Sequence, residues 1–360
     1  MYNVIRWIED VALAEDGLTP APELNKRVEA LRELGRDWRR MNGTQFQEAM
    51  TTAHFATYFS FALSKAFIDD YNYQAGEWTQ YTAADTAPDF RDVQRGRMTM
   101  PGTLQLRREK AEAKATEVHD AWIHYGVDEY ARQFDVSWQT ILNDDLGEIR
   151  RTPQRMALAA KLWLDTWVSA LYDNAVFQAT QAARGAPWAM TGRLTQANLA
   201  IGIADMMIRT DAALNPLNFR RIHLVIPPIL VVQAHDIIEN LSTYGGPGTV
   251  NLAQYIAGIH VDPYIAWAGI NIPWYLIADP SETAAIPVLR LEGWPGPVVA
   301  QKASDIRIIQ GSAPAAFSMG SFATGDIEYV VEDVIGGWAD AADVGVADFR
   351  AVLYSSGTTP

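Results

Sequence analysis

An α+β fold is predicted from three observations. Apolar residues recur at three- and four-residue steps in several stretches of the first half, and the run after Pro153 has no helix breaker until Gly185. Short apolar runs set between glycine and proline follow from Ile222 onward. The 360 residues are 49% hydrophobic and 20% charged, which suits a folded protein with one large core or a few smaller ones and excludes collagen-like or disordered chains.

Near the start, Leu24, Val28, Leu31 and Trp38 form one stripe of an amphipathic helix over 22–40, ended by Asn42-Gly43. Thr44 caps a second helix whose aromatic face runs through Phe46, Met50, Phe55, Phe59, Leu63 and Phe67. From Glu77 to Val93 the pattern changes to strand and turn, with Trp78, Tyr81 and Phe90 expected as buried anchors. Residues 98–132 carry too little apolar surface for a core: Leu104-Gln105-Leu106-Arg107-Arg108-Glu109-Lys110 leads into the nearly apolar-free Ala111–Glu117. With Trp122 to Val136 read as a strand, this stretch is either a long two-stranded arm lying on something else or a surface loop.

Asn143-Asp144-Asp145 stands ahead of the longest helix, where capping and turn formation account for it; paired carboxylates could also hold a divalent cation. Thr152-Pro153 is read as an N-cap and first helical position, and Met156, Ala160, Trp163, Trp167, Leu171 and Asn174 as the buried face of a rod to Arg184, roughly 48 Å long. Helices are expected over 195–209 and 229–241, the latter opened by Pro227-Pro228, with a glycine-rich loop over 244–250. Strands are expected over 222–226, 274–278, 288–291, 306–309, 329–334 and 349–354.

The chemistry-bearing patterns are missing. Gly245-Gly246-Pro247-Gly248 lacks the lysine and helix of a phosphate-binding loop, and no Gly-x-Ser-x-Gly elbow occurs. The histidines are scattered, only His119 and His124 standing close, and without cysteine there is no disulfide, thiolate metal site or thiol nucleophile. No catalytic residue, cofactor or metal is expected. A net charge of −14 argues against a nucleic-acid binder, and the basic clusters Arg36-Arg39-Arg40, Arg107-Arg108, Arg150-Arg151 and Arg220-Arg221 read as helix ends or salt-bridge partners. No apolar run reaches the ~18 residues of a membrane span, and Met1–Asp10 lacks the order of a secretion signal, so the chain is expected to act in a cytoplasm.

Several short motifs fall in one order. Phe134-Asp135-Val136-Ser137 runs into Ile141-Leu142-Asn143-Asp144-Asp145-Leu146-Gly147, and Thr152-Pro153-Gln154 opens the long helix. Pro216-Leu217-Asn218 leads to His223-Leu224-Val225-Ile226-Pro227-Pro228 and then Trp274-Tyr275-Leu276-Ile277-Ala278-Asp279-Pro280. Leu291-Glu292-Gly293 and Asp348-Phe349-Arg350 close the series. Over roughly 44–357 the chain resembles the major capsid proteins of tailed bacteriophages, specifically the Mu-type major head subunit. The segment before Asn42 matches that family poorly, and Gly336–Gly345 is less regular than its closing strands.

That resemblance implies the common tailed-phage capsid fold, shared with encapsulins. It divides the chain into an amino-terminal arm (1–43), a first part of the peripheral domain (44–97), an extended loop (98–132), the peripheral domain with its spine helix (133–187), an axial domain (188–326) and a return to the peripheral domain (327–360). It implies a non-enzymatic subunit of an icosahedral shell around phage DNA, a virion protein assembled in the host cytoplasm. Its partners would be itself, as hexamers and pentamers, with separate scaffolding, portal and decoration proteins, and packaged double-stranded DNA without sequence-specific contact; no membrane is involved. Arg107, Arg108, Glu109, Lys110 and Lys114 would form the assembly interface of the extended loop. Some relatives join subunits by a lysine–asparagine isopeptide bond, for which Lys110 or Lys114 would be the donor by location; nothing here specifies the acceptor. Others lose an amino-terminal scaffold to a protease; with the sequence opening on Met1, a separate scaffold or an unprocessed particle is expected. Two alternatives stay open: an encapsulin-like compartment shell, and a cytoplasmic metal-dependent hydrolase using Asp144 and Asp145.

Overall fold

The computed structural model describes residues 67, 76–98, 120–137, 148–211, 214–243, 252–294, 296–301, 326–338 and 346–359. These show strands β1 (Ala83–Ala87), β2 (Val93–Met98), β3 (Asp120–Ser137), β4 (Ala189–Gly192), β5 (Ile222–Ile226), β6 (Ile256–Val261), β7 (Trp274–Ala278), β8 (Pro287–Leu291), β9 (Val298–Gln301), β10 (Asp326–Trp338) and β11 (Val352–Thr359). The helices are α1 (Glu148–Tyr172), α2 (Ala175–Arg184), α3 (Gln196–Ile208) and α4 (Val231–Thr243), with short 3-10 turns at Glu77–Gln80, Pro228–Leu230, Leu252–Gln254 and Phe349–Ala351. The α+β class is as expected.

The chain forms two compact units, one of Met1–Gln74, Glu129–Leu162 and Gly296–Val334, the other of Ala75–Asp128, Trp163–Pro295 and Ile335–Pro360. In the first, β9 runs antiparallel to β10, with Val331 opposite Val299. Its core gathers Phe67, Ala157 and Val331, with Phe134, Met156, Ala160 and Val299 packed around them. Phe134 stacks on Tyr329 at a ring separation of 5.1 Å, burying two flat faces together.

The second unit contains a five-stranded sheet in the order β4-β11-β7-β5-β6. β5 lies parallel to β6 and antiparallel to β7, while β11 lies antiparallel to β7 and parallel to β4. Every residue of β5 and β7 is buried. That accounts for their apolar spelling, unbroken in β7 and interrupted in β5 only by His223, since a strand covered on both faces has no solvent side to alternate with. In the same unit β1 pairs in parallel with β8, and β2 runs antiparallel to β3 with Val93 opposite Tyr125 and Met98 opposite Asp120. The strand expected over 122–136 is thus present, and its pairing with β2 is that of a hairpin; residues 99–119 lie outside the described residues.

Three expectations need correction. The long helix is two helices. α1 starts at Glu148 and takes Pro153 into its second turn, and it stops at Tyr172, giving a rod of about 38 Å. Asn174 is extended (φ −124°, ψ 150°) and its side chain accepts the amide of Phe177, so a residue that fits the helical period acts as the N-cap of α2. The buried face of α1 is also turned by one residue: Ala157, Leu164, Val168 and Tyr172 are buried, as is the expected Leu171, whereas Met156, Ala160, Trp163 and Trp167 are half-buried. Of the three anchors expected over 77–93, Tyr81 is buried, Trp78 is half-buried with its indole N–H on Asp165 (2.9 Å), and Phe90 is exposed.

The helices over 195–209 and 229–241 and the strands at 222–226, 274–278 and 288–291 appear within a few residues of expectation. Residues 349–351 form a 3-10 turn ahead of β11, because Asp348 caps the amide of Arg350 there. β4, β6 and β9 were not anticipated. The amino-terminal helices, apart from the helical and buried Phe67, lie outside the described residues, as do the glycine-rich loop over 244–250 and the strand expected over 306–309.

Candidate assembly surface

The residues singled out in the extended loop, Arg107, Arg108, Glu109, Lys110 and Lys114, lie outside the described residues, and so do Asn143, Asp144, Asp145 and His119. His124 is half-buried on β3. Among the described residues no three of histidine, cysteine, aspartate and glutamate converge as a metal site, and no helix is long and apolar enough to cross a membrane. Arg221 bears out its reading as an ion-pair partner, with its guanidinium 3.5 Å from Asp279, while the backbone amides of Arg220 and Arg221 both donate to Glu282.

The feature that does call for a partner is α3. Thr195, extended at φ −130°, accepts the Asn198 amide on its hydroxyl and opens the helix. The inner face, Leu199, Gly202, Ile203 and Met206, is buried. A side chain at Gly202 would reach 3.1 Å from Leu276 and 3.4 Å from Trp274 and Met190, so glycine lets α3 lie directly on β4 and β7. The outer face is apolar too: Ala197, Ile201, Ala204 and Ile208 follow at steps of three and four and are all exposed, Ile201 by 51% and Ile208 by 64%. A helix that is apolar all round is ordinarily enclosed on all sides. Nearby in sequence and equally bare are Leu214, Ile229 and Val232, and the turn closed between Ala268 and Asn271 exposes Trp267 and Ile270.

α3 is anchored at its end by Arg209, which is 1% exposed. Its guanidinium donates to the carbonyls of Arg350 (2.5 Å), Val352 (3.1 Å) and Pro187 (2.8 Å) and lies 4.9 Å from the ring of Trp188. Burial pulls its pKa down to about 9, against the opposing pull of Asp205 and Asp348. A planar fork with several donors is what allows one side chain to serve three carbonyls of two segments.

Behind the sheet lies a polar core that the sequence did not announce. Asp262 accepts from Ser169 at 2.5 Å and from the Tyr172 hydroxyl on one oxygen, and from the Tyr264 amide at 2.8 Å on the other. Tyr172 in turn meets the Tyr81 hydroxyl at 3.2 Å. Burial, followed by the neighbouring Tyr81 and Asp262, pushes the Tyr172 pKa well above the ordinary value, so the hydroxyl stays a donor. His223 and His260 meet at 2.8 Å beside it. These groups are tied to one another and to backbone amides; they hold α1 to the end of β6. The exposed face of α3 was not singled out in the sequence, where 195–209 reads as a helix with no face assigned; the signal was available, since apolar positions fall on both sides of the helix.

Comparison with known proteins agrees with a shell subunit. The family model described as phage capsid protein matches residues 123–355. No curated protein matches the chain in sequence. Among solved structures, the capsid of Ralstonia phage GP4 is similar over 78% of this chain and 88% of its own, with a TM-score of 0.50 at 10% identity, which shows the fold. The capsid of the cyanophage P-SCSP1u covers 80% of this chain and 89% of its own, with a TM-score of 0.48 at 12% identity. With the family match extending over well more than half of its length, the chain belongs to the phage capsid protein family, and is a structural shell subunit and not an enzyme.

Proposed function

We propose that the chain is the major head subunit, working as hexamers and pentamers of a closed icosahedral shell around phage DNA, and that the outer face of α3 is covered there by a neighbouring copy of the same chain. The observation that carries this is a helix apolar on both faces in a member of a capsid family. A net charge of −14 suits a container that holds DNA without gripping its phosphates or reading its bases. The proposal keeps the extended loop (98–132), the spine-helix domain (133–187) and the axial domain (188–326) as working parts. It assigns Arg107, Arg108, Glu109, Lys110 and Lys114 to an intersubunit clasp, with scaffolding, portal and decoration proteins as separate partners and the host cytoplasm as the place of assembly.

The test is expression of the full chain with and without the double substitution Ile201→Asp and Ile208→Asp, followed by circular dichroism and electron microscopy. The wild type is expected to form particles. The variant is expected to keep its secondary structure, because neither side chain contributes to the buried face, and to form none. Normal particles from the variant would remove α3 from the interface.

A further inference from the structure

We propose that His223 and His260 form an acid-responsive latch, which holds the edge strand β6 to β5 at neutral pH and releases it when the pair takes up protons. The two residues sit on one face of adjacent parallel strands, offset diagonally, with Gly258 directly opposite His223. A side chain at 258 would fall 2.8 Å from Nε2 of His260 and 3.6 Å from Nδ1 of His223, so the glycine leaves the space in which the rings meet. Both histidines are buried, and Nδ1 of His223 lies 2.8 Å from Nε2 of His260.

The direction of each bond follows from Asp279. Its Oδ2 lies 3.3 Å from Nε2 of His223, and a carboxylate accepts, so Nε2 of His223 carries the hydrogen and Nδ1 accepts from Nε2–H of His260. The other charged or titratable neighbours are Arg221, which shares Asp279; Tyr81, whose ring is 5.2 Å from His260; and Glu77, whose carboxylate accepts the Val261 amide at 3.0 Å. Asp262, at the end of β6, is occupied by Ser169, Tyr172 and the Tyr264 amide. One proton can enter at Nδ1 of His260 and leave the ring–ring bond intact. A second must enter at Nδ1 of His223, turning the acceptor into a donor and setting two cations side by side.

Burial, and then the nearness of His223, draws the His260 pKa down to about 4; burial also lowers that of His223, against the hydrogen bond and charge of Asp279. An unfolded or opened histidine titrates near 6.5, so the neutral pair contributes its full stability above about pH 6.5 and loses it as the pH falls from there toward about 4. The release is local, because β6 is the outermost strand of the order β4-β11-β7-β5-β6 and has only β5 as a strand neighbour. The latch concerns the fold of this unit and is independent of how copies assemble.

Two measurements on the full chain test it. Deuterium exchange at the imidazole C2 position, followed by mass spectrometry across the acid range, gives a midpoint for each histidine, with a free histidine-containing peptide as the reference. His260 is expected far below the reference peptide; midpoints within about half a pH unit of each other would overturn the proposal. Amide exchange between about pH 7.5 and 5, corrected for intrinsic rates, is expected to show β6 losing at least about tenfold more protection than β7. His260→Gln, which keeps a donor for His223 without titrating, is expected to abolish that difference. Equal losses in β6 and β7 of the wild type would mean general acid unfolding and would overturn the latch, whether or not the variant folds.

Discussion

The hydroxyl of Tyr275 donates to Oδ1 of Asp173 at 2.6 Å, and this bond marks the place where α1 gives way to α2. The other carboxylate oxygen accepts the Ala266 amide at 2.8 Å, and the Gln178 side chain donates to both Asp173 and Tyr275. Burial raises the Asp173 pKa, while the bonds from Tyr275 and Ala266 pull the other way. Tyr275→Phe leaves a half-buried carboxylate short of one donor, with an expected cost of about 1–3 kcal/mol. In urea this reads as a lower midpoint at unchanged slope; an unchanged midpoint would show that water replaces the hydroxyl without loss.

The same junction shows what the sequence could and could not reveal. β5 and β7 were legible because burial on both faces spells them as almost wholly apolar runs, with His223 the one exception. The helix break was not, because Asn174 continues the helical spacing and only its extended backbone shows it to be a cap. β6 was hidden by Gly258 and His260, residues that weaken a strand pattern and serve the meeting of two rings separated by 37 positions in the sequence. The stretch over 195–209 was legible as a helix but the role of its outer face was not, since hydrophobicity marks what is to be covered and not by which chain.

The turn of the α1 face by one residue reverses an expected order of severity. Leu164 is 3% exposed and Trp163 only half-buried, so Leu164→Ala is expected to cost about 2–5 kcal/mol and Trp163→Ala less, despite the larger ring. Thermal unfolding of the two variants decides it; a greater loss for Trp163→Ala would put that ring back in the core.

Arg209 is expected to tolerate neither lysine nor methionine. Lysine has too few fixed donors for the carbonyls of Arg350, Val352 and Pro187, and methionine leaves all three unpaired. Each variant is expected to lose about 2–4 kcal/mol. Chemical denaturation measures this, and a methionine variant as stable as the wild type would show that the fork contributes no net stability.

In the clasp proposed for the extended loop, charge reversal is the sharper probe. Arg107→Glu with Arg108→Glu is expected to leave circular dichroism unchanged and to weaken or block particle formation. Single exposed pairs contribute only ~0–1 kcal/mol, yet they recur at every contact of a closed shell. Wild-type particles are expected to lose stability as salt rises. Light scattering across a salt series reads both effects, and normal particles from the reversed variant would remove the clasp.

The most direct test of the central claim is a cryo-electron microscopy map of the assembled particle, at a resolution that shows side chains. The expected result is a closed shell of this chain in which Ile201 and Ile208 of α3 are enclosed by an adjacent copy. A shell in which the outer face of α3 is bare to solvent, or particles built from another protein, would contradict it.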